Sequence, residues 1–493
     1  MSDTPADAVE LARRVREGEV SSRELVDAAL TALDEVDPQL NAVVWRDDAR
    51  ARRWAERSPE GPFAGVPFVV KDLDGDEADV PNTGSSRFLR DYVPTADSVV
   101  ISRLKKAGFV FLARTNCPEL GIMGTTEPEL RGPTHNPWNL DHSPGGSSGG
   151  TGALVAAGVV PAGHGGDGGG SLRIPASACG VFGLKPSRGR IPVQGGEGWG
   201  GFVQQGVITM SVRDTATILD AIHGPSPGDP YAAPPLPGPL AAEVGQDPGK
   251  LRIAFSTDSL YGKETDPACA RAVRDAATLL EELGHEVTEA SPQLDLDALA
   301  RAYLVQVAAG TAAGVRGHEA RTGRRSRSGD WEPSTWFLVQ LGERLSALQL
   351  QQARDLHHQA SVTMAAFHQE YDLFVNPTLA HPPVRLGALA LTRGDRLALG
   401  ALRAAPVKKL LEVALDQLAS DSLERTPNTQ LFNQTGQPAM SVPLSWSDDG
   451  LPIGVQFAAA YGREDLLVRV ASQLEVAKPW SGRAPPVSST WLR

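Results

Sequence analysis

Two serines and one lysine have the surroundings needed for acyl-transfer chemistry. Ser147 lies in PGGSSGG and Ser171 in GHGGDGGGSLRIP, so glycines keep other side chains away from both hydroxyls. Lys71 directly follows the apolar run VPFVV. So many glycines cost backbone entropy, which indicates that the geometry around the hydroxyls requires them. A serine hydroxyl attacks a carbonyl effectively only when a neighbouring base takes its proton.

Histidine and lysine are the two candidate bases. His164 lies close before Ser171 and would serve a conventional triad, but neither serine stands in a G-x-S-x-G nucleophile elbow. Lys71 ends an apolar segment, where desolvation lowers the pKa of an amine from ~10.4 toward neutrality. A neutral lysine can accept a proton, and a second serine can relay it. The sequence therefore favours lysine over histidine as the base.

These motifs resemble those of the amidase signature family, whose catalytic set is Ser–cis-Ser–Lys. The resemblance covers nearly the whole chain, is densest over 65–192 and returns over 433–456. It implies that Lys71 is the base, that Ser147 relays the proton and that Ser171 is the nucleophile that accepts the acyl group. It also implies a cis peptide bond between Gly146 and Ser147.

The resemblance further implies how the loop before the nucleophile works. Backbone N–H groups before and at Ser171 are expected to form the oxyanion hole, and those before it belong to Gly168, Gly169 and Gly170. Glycine suits this role because a backbone N–H must approach the developing oxyanion to ~3 Å. Asp167 and Arg173 are expected to pair and hold the loop rather than to catalyse. Residue 168 is usually larger in the family, so this loop is unusually rich in glycine.

The substrate pocket is expected to include variable and aromatic positions. The glycine-rich loop 194–206 resembles a mobile lid, because glycines flank its Trp199. The pocket residues predicted from the sequence are Thr125, Gly146, Trp199, Phe202, Trp331 and Trp336. For each aromatic residue, ordinary core packing is the alternative. The histidines show no metal-ligand spacing and the glycine loops lack the P-loop lysine, so we expect neither a metal nor a cofactor.

Composition restricts the class of protein. The chain has 493 residues, 41% of them hydrophobic, and a net charge of −12, which argues against a nucleic-acid-binding face. Three cysteines, Cys117, Cys179 and Cys269, are too few for a disulfide framework. No signal peptide or long uninterrupted apolar run is present, so the expected protein is cytoplasmic and does not enter a membrane. Related hydrolases are often homodimers, although no segment of the sequence indicates an interface.

Alternating strand and helix patterns predict an α/β fold. The resemblance implies a central mixed twisted sheet covered by helices on both faces, in one large domain with helical insertions. We assign the segments as N-terminal helices (1–60), catalytic core (61–223), Pro/Gly connector (224–249), α/β and helical insertion lining the pocket (250–426), and a C-terminal return to the core sheet (427–493).

The expected activity is hydrolysis of carboxamide C–N bonds in small xenobiotic, nylon-oligomer-like or anilide substrates through an acyl-enzyme on Ser171. A urethanase that cleaves aryl or alkyl carbamates by the same mechanism is the main alternative. A less favoured alternative is the A subunit of a tRNA-dependent amidotransferase, because the segment after Ile191 lacks the SLDQ-type sequence of those subunits.

Overall fold

A mixed sheet forms the centre of the computed structural model, which describes residues 5–57, 60–193, 198–262, 264–392, 394 and 426–492. In this part of the chain the sheet has eleven strands. They are β1 (Val43–Arg46), β2 (Pro67–Lys71), β3 (Val110–Thr115), β4 (Ala162–Asp167), β5 (Phe182–Lys185), β6 (Gln204–Thr209), β7 (Arg252–Phe255), β8 (Glu286–Glu289), β9 (Leu373–Pro377), β10 (Ala439–Trp446) and β11 (Pro452–Ala459).

The order of strands shows that both ends of the chain contribute to the sheet. The order is β1-β3-β2-β4-β6-β5-β10-β11-β9-β7-β8. β2 runs parallel to β3 and β4, β7 runs parallel to β8 and β9, and the other neighbours are antiparallel. Because β10 and β11 lie between β5 and β9, the C-terminal segment completes the middle of the sheet.

Helices flank the sheet and build a separate helical layer beside it. The helices that the structure describes are α1 (Ala8–Arg16), α2 (Ser22–Leu40), α3 (Asp48–Glu56), α4 (Val99–Lys106), α5 (Gly149–Ala156), α6 (Arg173–Cys179), α7 (Gly198–Gly201), α8 (Val212–Ile222), α9 (Pro267–Glu282), α10 (Leu296–Thr322), α11 (Pro333–Gly342), α12 (Ala347–Glu370), α13 (Leu431–Gln434) and α14 (Glu464–Ala477). The single turn α7 contains left-handed backbone at Trp199 (φ 52°) and Gly200 (φ 70°).

Local sequence signals explain several of these boundaries. Ser21 and Glu24 form the predicted capping box at the start of α2. The apolar runs predicted as strands over 66–70 and 109–112 become β2 and β3, which are buried along their whole length because other layers cover both faces. The Pro/Gly-rich connector over 224–249 contains no strand and only one short 3₁₀ turn, Leu240–Glu243.

The helical layer consists of α10, α11 and α12, which pack on one another. Tyr303 of α10 and Phe337 of α11 belong to one apolar cluster with Phe202, which precedes β6. Among the described helices, α10 alone is long and apolar enough to cross a membrane, and 67% of its apolar window is buried inside the fold. This helix therefore has the burial of a core helix.

The predicted fold class is confirmed, since one large mixed sheet is flanked by helices. The five segments assigned from the sequence remain a prediction. Part of the predicted insertion (395–425) and part of the predicted lid (194–197) lie outside the described residues.

Candidate active site

Lys71 is the last residue of β2, and its side chain reaches the first of the two serines. The residue is only 1% exposed, and its Nζ donates a hydrogen bond of 2.6 Å to Ser147 Oγ. Burial lowers the pKa of the Lys71 amine, and this effect outweighs the opposing influence of Cys117, Asp74 and Asp167. The arrangement therefore places an amine with a reduced proton affinity against a serine hydroxyl.

Close backbone packing defines the loop that carries Ser147. The Gly146–Ser147 peptide bond is cis, as the resemblance implies. A Cβ on Gly146 would lie 2.8 Å from the carbonyl oxygen of Thr125, so a side chain does not fit at this position. The next residue, Ser148, donates its backbone N–H to the carbonyl oxygen of Ser171 at 3.3 Å. This bond joins the two serine loops.

Ser171 lies just before α6 and faces the same cavity as Lys71 and Ser147. It is 9% exposed. The described residues provide no hydrogen-bond partner for its hydroxyl, and the hydrogen bond from Lys71 reaches Ser147. The three residues predicted from the sequence are therefore together around one cavity, with the hydroxyl of Ser171 open to a ligand.

The three predicted oxyanion-hole glycines differ in their surroundings. Gly168 lines the cavity. Gly169 lies against the ring of Tyr303, whose hydroxyl a Cβ on this glycine would strike. The N–H of Gly170 donates a hydrogen bond of 2.7 Å to Asp167 Oδ1 and is therefore already occupied. The N–H groups of Gly168, Gly169 and Ser171 make no such bond in the described structure.

Asp167 and Arg173 form the predicted pair and hold the loop at both ends. Arg173 Nη2 lies 2.9 Å from Asp167 Oδ1, and both side chains are completely buried. Arg173 also donates to Gln456 Oε1, Asn433 Oδ1 and the carbonyl oxygen of Thr429 at 2.7–2.8 Å. Partners from the C-terminal segment thus fix the loop that carries Ser171.

The charge on Asp167 is stabilised inside the protein. Burial alone would raise the pKa of this carboxyl, but Arg173, Lys185 and Asn433 outweigh burial and lower the pKa to about 2. Asp167 also accepts the backbone N–H of Leu172 at 3.2 Å. The carboxylate therefore organises the backbone on both sides of Ser171.

The histidine alternative has no geometric support. His164 is buried in β4, and its Nε2 is hydrogen-bonded to Gln205 Oε1 at 2.8 Å. Burial lowers the pKa of His164 to about 3. The residues that line the cavity near Ser171 do not include it.

The cavity has a volume of about 730 Å³ and runs from Lys71, Ser147 and Ser171 to α10 and α12. Trp199 lines it, in agreement with its predicted place in the pocket. Trp199 packs so closely on α10 that a Cβ on Gly310 would lie 2.6 Å from the indole ring. This contact makes α7 part of the wall that faces α10.

The structure places the other predicted pocket residues elsewhere. Phe202 is buried and stacks on Tyr303 with ring centroids 5.6 Å apart. Trp331 is 1% exposed and packs on Phe88 at 5.1 Å, and Trp336 joins the same apolar cluster. Thr125 packs against Gly146 in the loop that carries Ser147. In the described part of the chain, none of these five residues lines the cavity. Core packing accounts for the three aromatic residues.

The roles of several residues of the site were not predicted from the sequence. Asn433 donates to the carbonyl oxygen and to Oδ1 of Asp167, both at 2.9 Å, and Thr429 donates to the carbonyl oxygen of Gly169 at 2.6 Å. Tyr303 donates to the carbonyl oxygen of Gly168 at 3.3 Å. For Asn433 the sequence did offer a signal, because the family resemblance returns over 433–456. Among the described residues, no group of His, Cys, Asp and Glu is arranged to hold a metal ion.

Comparison with known proteins agrees with this geometry. The family model described as Amidase matches residues 24–468. The chain belongs to the amidase family. It is 40% identical to 6-aminohexanoate-cyclic-dimer hydrolase of a Pseudomonas species (strain NK87), over 97% of this chain and 96% of that protein.

Two further comparisons support the same assignment. An acylamidase of Rhodococcus erythropolis is 34% identical to this amidase. The matched region covers 97% of this chain and 96% of the acylamidase. A solved structure of 6-aminohexanoate cyclic dimer hydrolase superimposes with a TM-score of 0.90 at 38% identity and covers 98% of both chains. The predicted family, the predicted likeness to hydrolases of nylon oligomers and the predicted class of enzyme are confirmed. This amidase is a hydrolase that cleaves amide C–N bonds.

Proposed function

We propose that this amidase hydrolyses small amides through an acyl-enzyme on Ser171, with Ser147 as proton relay and Lys71 as base. The observation that carries the proposal is the 2.6 Å hydrogen bond between Lys71 Nζ and Ser147 Oγ at the wall of the cavity that Ser171 faces. Because burial lowers the pKa of Lys71, its neutral amine is more readily available as a proton acceptor than that of an exposed lysine.

The proposed cycle has two halves. Ser171 Oγ attacks the amide carbonyl while its proton passes to Ser147 Oγ, and the proton of Ser147 passes to Lys71 Nζ. The N–H groups of Gly168, Gly169 and Ser171 stabilise the oxyanion of the tetrahedral intermediate. Ser147 then gives a proton to the leaving amine and takes back the proton held by Lys71 Nζ, and the C–N bond breaks. Water attacks the acyl-enzyme along the same relay and releases the acid.

The proposed substrates are small amides of the kind that the relatives' names state, either cyclic 6-aminohexanoate dimers or acylamides. The cavity of about 730 Å³ is large enough for compounds of that size. We further propose that the enzyme works in the cytoplasm, without nucleic acid or membrane. Its three cysteines are buried and unpaired, which is typical of a reducing compartment.

Turnover of a substrate panel tests the proposal. The panel contains 6-aminohexanoate cyclic dimer, a para-nitroanilide and a small aryl dicarbamate, with products followed by mass spectrometry. Hydrolysis of the dimer or the anilide is expected, and a preference for the dicarbamate would replace the amidase proposal by a urethanase. Ser171→Ala is expected to lower kcat by at least about 10³-fold.

A matched pair of neighbouring serines tests the relay. Ser147→Ala is expected to reduce kcat nearly as much as Ser171→Ala, because the variant lacks the hydroxyl between Lys71 and the nucleophile. Ser148→Ala serves as the control, because its backbone N–H still donates to the carbonyl oxygen of Ser171. Equal losses in the Ser147 and Ser148 variants would show that Ser147 has no special role.

A further inference from the structure

An acidic residue that the proposed mechanism does not use lies at the catalytic end of the cavity. Asp74 follows Lys71 in the sequence KDLDGD and lines the same cavity. Its backbone is left-handed, with φ 61°, a conformation that among non-glycine residues is enriched in Asp and Asn. The chain therefore adopts an uncommon backbone conformation at the residue that brings this carboxylate to the cavity.

The carboxylate of Asp74 has no hydrogen-bond donor among the described residues, whereas its two acidic neighbours have one or more. Asp72 accepts the N–H of Thr83 at 2.8 Å and also its hydroxyl. Asp76 accepts Asn82 Nδ2 at 2.6 Å. Asp74 is exposed where it lines the cavity, so its carboxylate oxygens can accept hydrogen bonds from a ligand.

The position of the carboxylate places it beside the reacting groups. Asp74 Oδ2 lies 3.3 Å from the point where a Cβ on Gly166 would stand, so it rests against the end of β4, just before the nucleophile loop. Desolvation raises the pKa of the Asp74 carboxyl and the charge of Lys71 opposes that rise, while the charge of Asp74 opposes the fall in the pKa of the Lys71 amine. A substrate bound for attack by Ser171 would occupy the cavity that Asp74 lines.

Positively charged side chains line the same cavity as Asp74. His318, Arg321 and Arg354 line the part formed by α10 and α12, and the two arginines are exposed. Arg321 is hydrogen-bonded to His318 Nδ1 at 2.7 Å. In a cavity that contains both signs of charge, a cationic ligand would be attracted to Asp74 and repelled by the arginines.

We propose that Asp74 is a specificity-determining residue that binds a protonated amino group of the substrate, so that this amidase prefers amides carrying an ammonium group to otherwise matched neutral or anionic amides. The inference rests on the proposed function and names its substrate class. An ammonium group would donate hydrogen bonds to the carboxylate of Asp74, which has no donor among the described residues. A carboxylate in the same place would face like charge.

Three matched anilides test the proposal in the purified wild-type enzyme. They share the para-nitroaniline leaving group and a straight acyl chain of one length, which ends in an ammonium, a methyl or a carboxylate group. Several chain lengths are compared. We expect kcat/KM to favour the ammonium compound over the methyl compound by about 10-fold to 100-fold, the range of a charge-assisted hydrogen bond, with the carboxylate compound slowest.

Two asparagine variants assign the preference to one carboxylate. Asp74→Asn suits the left-handed backbone, so the fold is retained, and we expect the ammonium-to-methyl ratio to fall toward one. Asp76→Asn removes the same charge from a carboxylate that already has a donor, and we expect its ratio to stay close to that of wild type. Wild type without an ammonium preference, equal loss on all three anilides in Asp74→Asn, or equal ratios in both variants would overturn the inference.

Binding measured without turnover keeps the two proposals separate. Hexylammonium and hexanoate are titrated by calorimetry into the Ser171→Ala protein, with and without Asp74→Asn. The inference requires hexylammonium to bind at least about 10-fold more tightly when Asp74 is present. Loss of Ser171-dependent turnover would refute the mechanism, whereas absence of ammonium binding would refute only the role of Asp74.

Discussion

Replacing Asp167 by asparagine is expected to destabilise this amidase by about 3 kcal/mol. Asp167 and Arg173 are completely buried against each other. The asparagine amide would leave Arg173 without its carboxylate partner and would turn a donor group toward the N–H of Gly170 or Leu172, both of which donate to Asp167. The nucleophile loop would therefore lose its central acceptor.

The magnitude follows from the ionisation of Asp167. Its pKa falls from 3.8 to about 2 in the fold, in spite of burial, because Arg173 and its neighbours favour the charged form. At about 1.4 kcal/mol per pH unit, this fall corresponds to roughly 2 kcal/mol of stability. That stability is present above pH ~4 and is lost as the pH falls through about 2. An unpaired buried arginine raises the cost of the substitution toward ~3–5 kcal/mol.

Differential scanning calorimetry measures the effect. An unfolding entropy of ~2.1 cal/mol/K per residue gives ~1 kcal/mol/K for a chain of this length, so Tm should fall by about 3 °C. Glu286→Gln is the control, because the Lys250–Glu286 pair is exposed, and we expect its Tm to match wild type. If the Tm of Asp167→Asn equals that of the control, this ion pair does not hold the loop.

Three further predictions concern the base, the oxyanion loop and α10. Since burial lowers the pKa of Lys71 below its usual 10.5 and only the neutral amine accepts a proton, kcat/KM should fall as the pH decreases through that lowered pKa, and a flat profile from about pH 6 to 10 would contradict a lysine base. Gly169→Ala should lower kcat by about 10²-fold because its Cβ would strike the Tyr303 hydroxyl, and adding Tyr303→Phe should restore part of the rate if this collision is the cause. Gly314→Ala should raise Tm by about 1 °C because its Cβ meets open space in a helix, whereas Gly342→Ala should lower Tm in the same melting assay because its Cβ would collide with the backbone of α10.

The sequence predicted those parts of the site that lie within short motifs. Lys71, Ser147 and Ser171 each stand in a recognisable segment, and the strand and glycine patterns around them match the structure. The family resemblance that those motifs carry also implies the cis peptide before Ser147 and the pair of Asp167 with Arg173, both of which the structure contains.

Contacts between distant segments could not be predicted in this way. Arg173 donates hydrogen bonds to Asn433 and Gln456, which lie 260 and 283 residues away in the sequence. No local sequence pattern predicts such a contact. The same limit applies to aromatic residues. Trp199 and Trp331 were both predicted to line the pocket. Trp331 is covered because it packs on Phe88, whereas Trp199 packs on α10 and still faces the cavity.

The strand order has a consequence for biosynthesis. The nucleophile loop is translated early, but its partners Asn433 and Gln456 are translated near the C-terminal end, and β10 and β11 must enter between strands that already exist. At ~5–20 residues per second, the ribosome adds the ~280 residues between Arg173 and Gln456 over tens of seconds. During that interval the nascent chain carries all three catalytic side chains without an assembled site. A chain released before residue 456 would therefore contain the catalytic motifs and hydrolyse nothing.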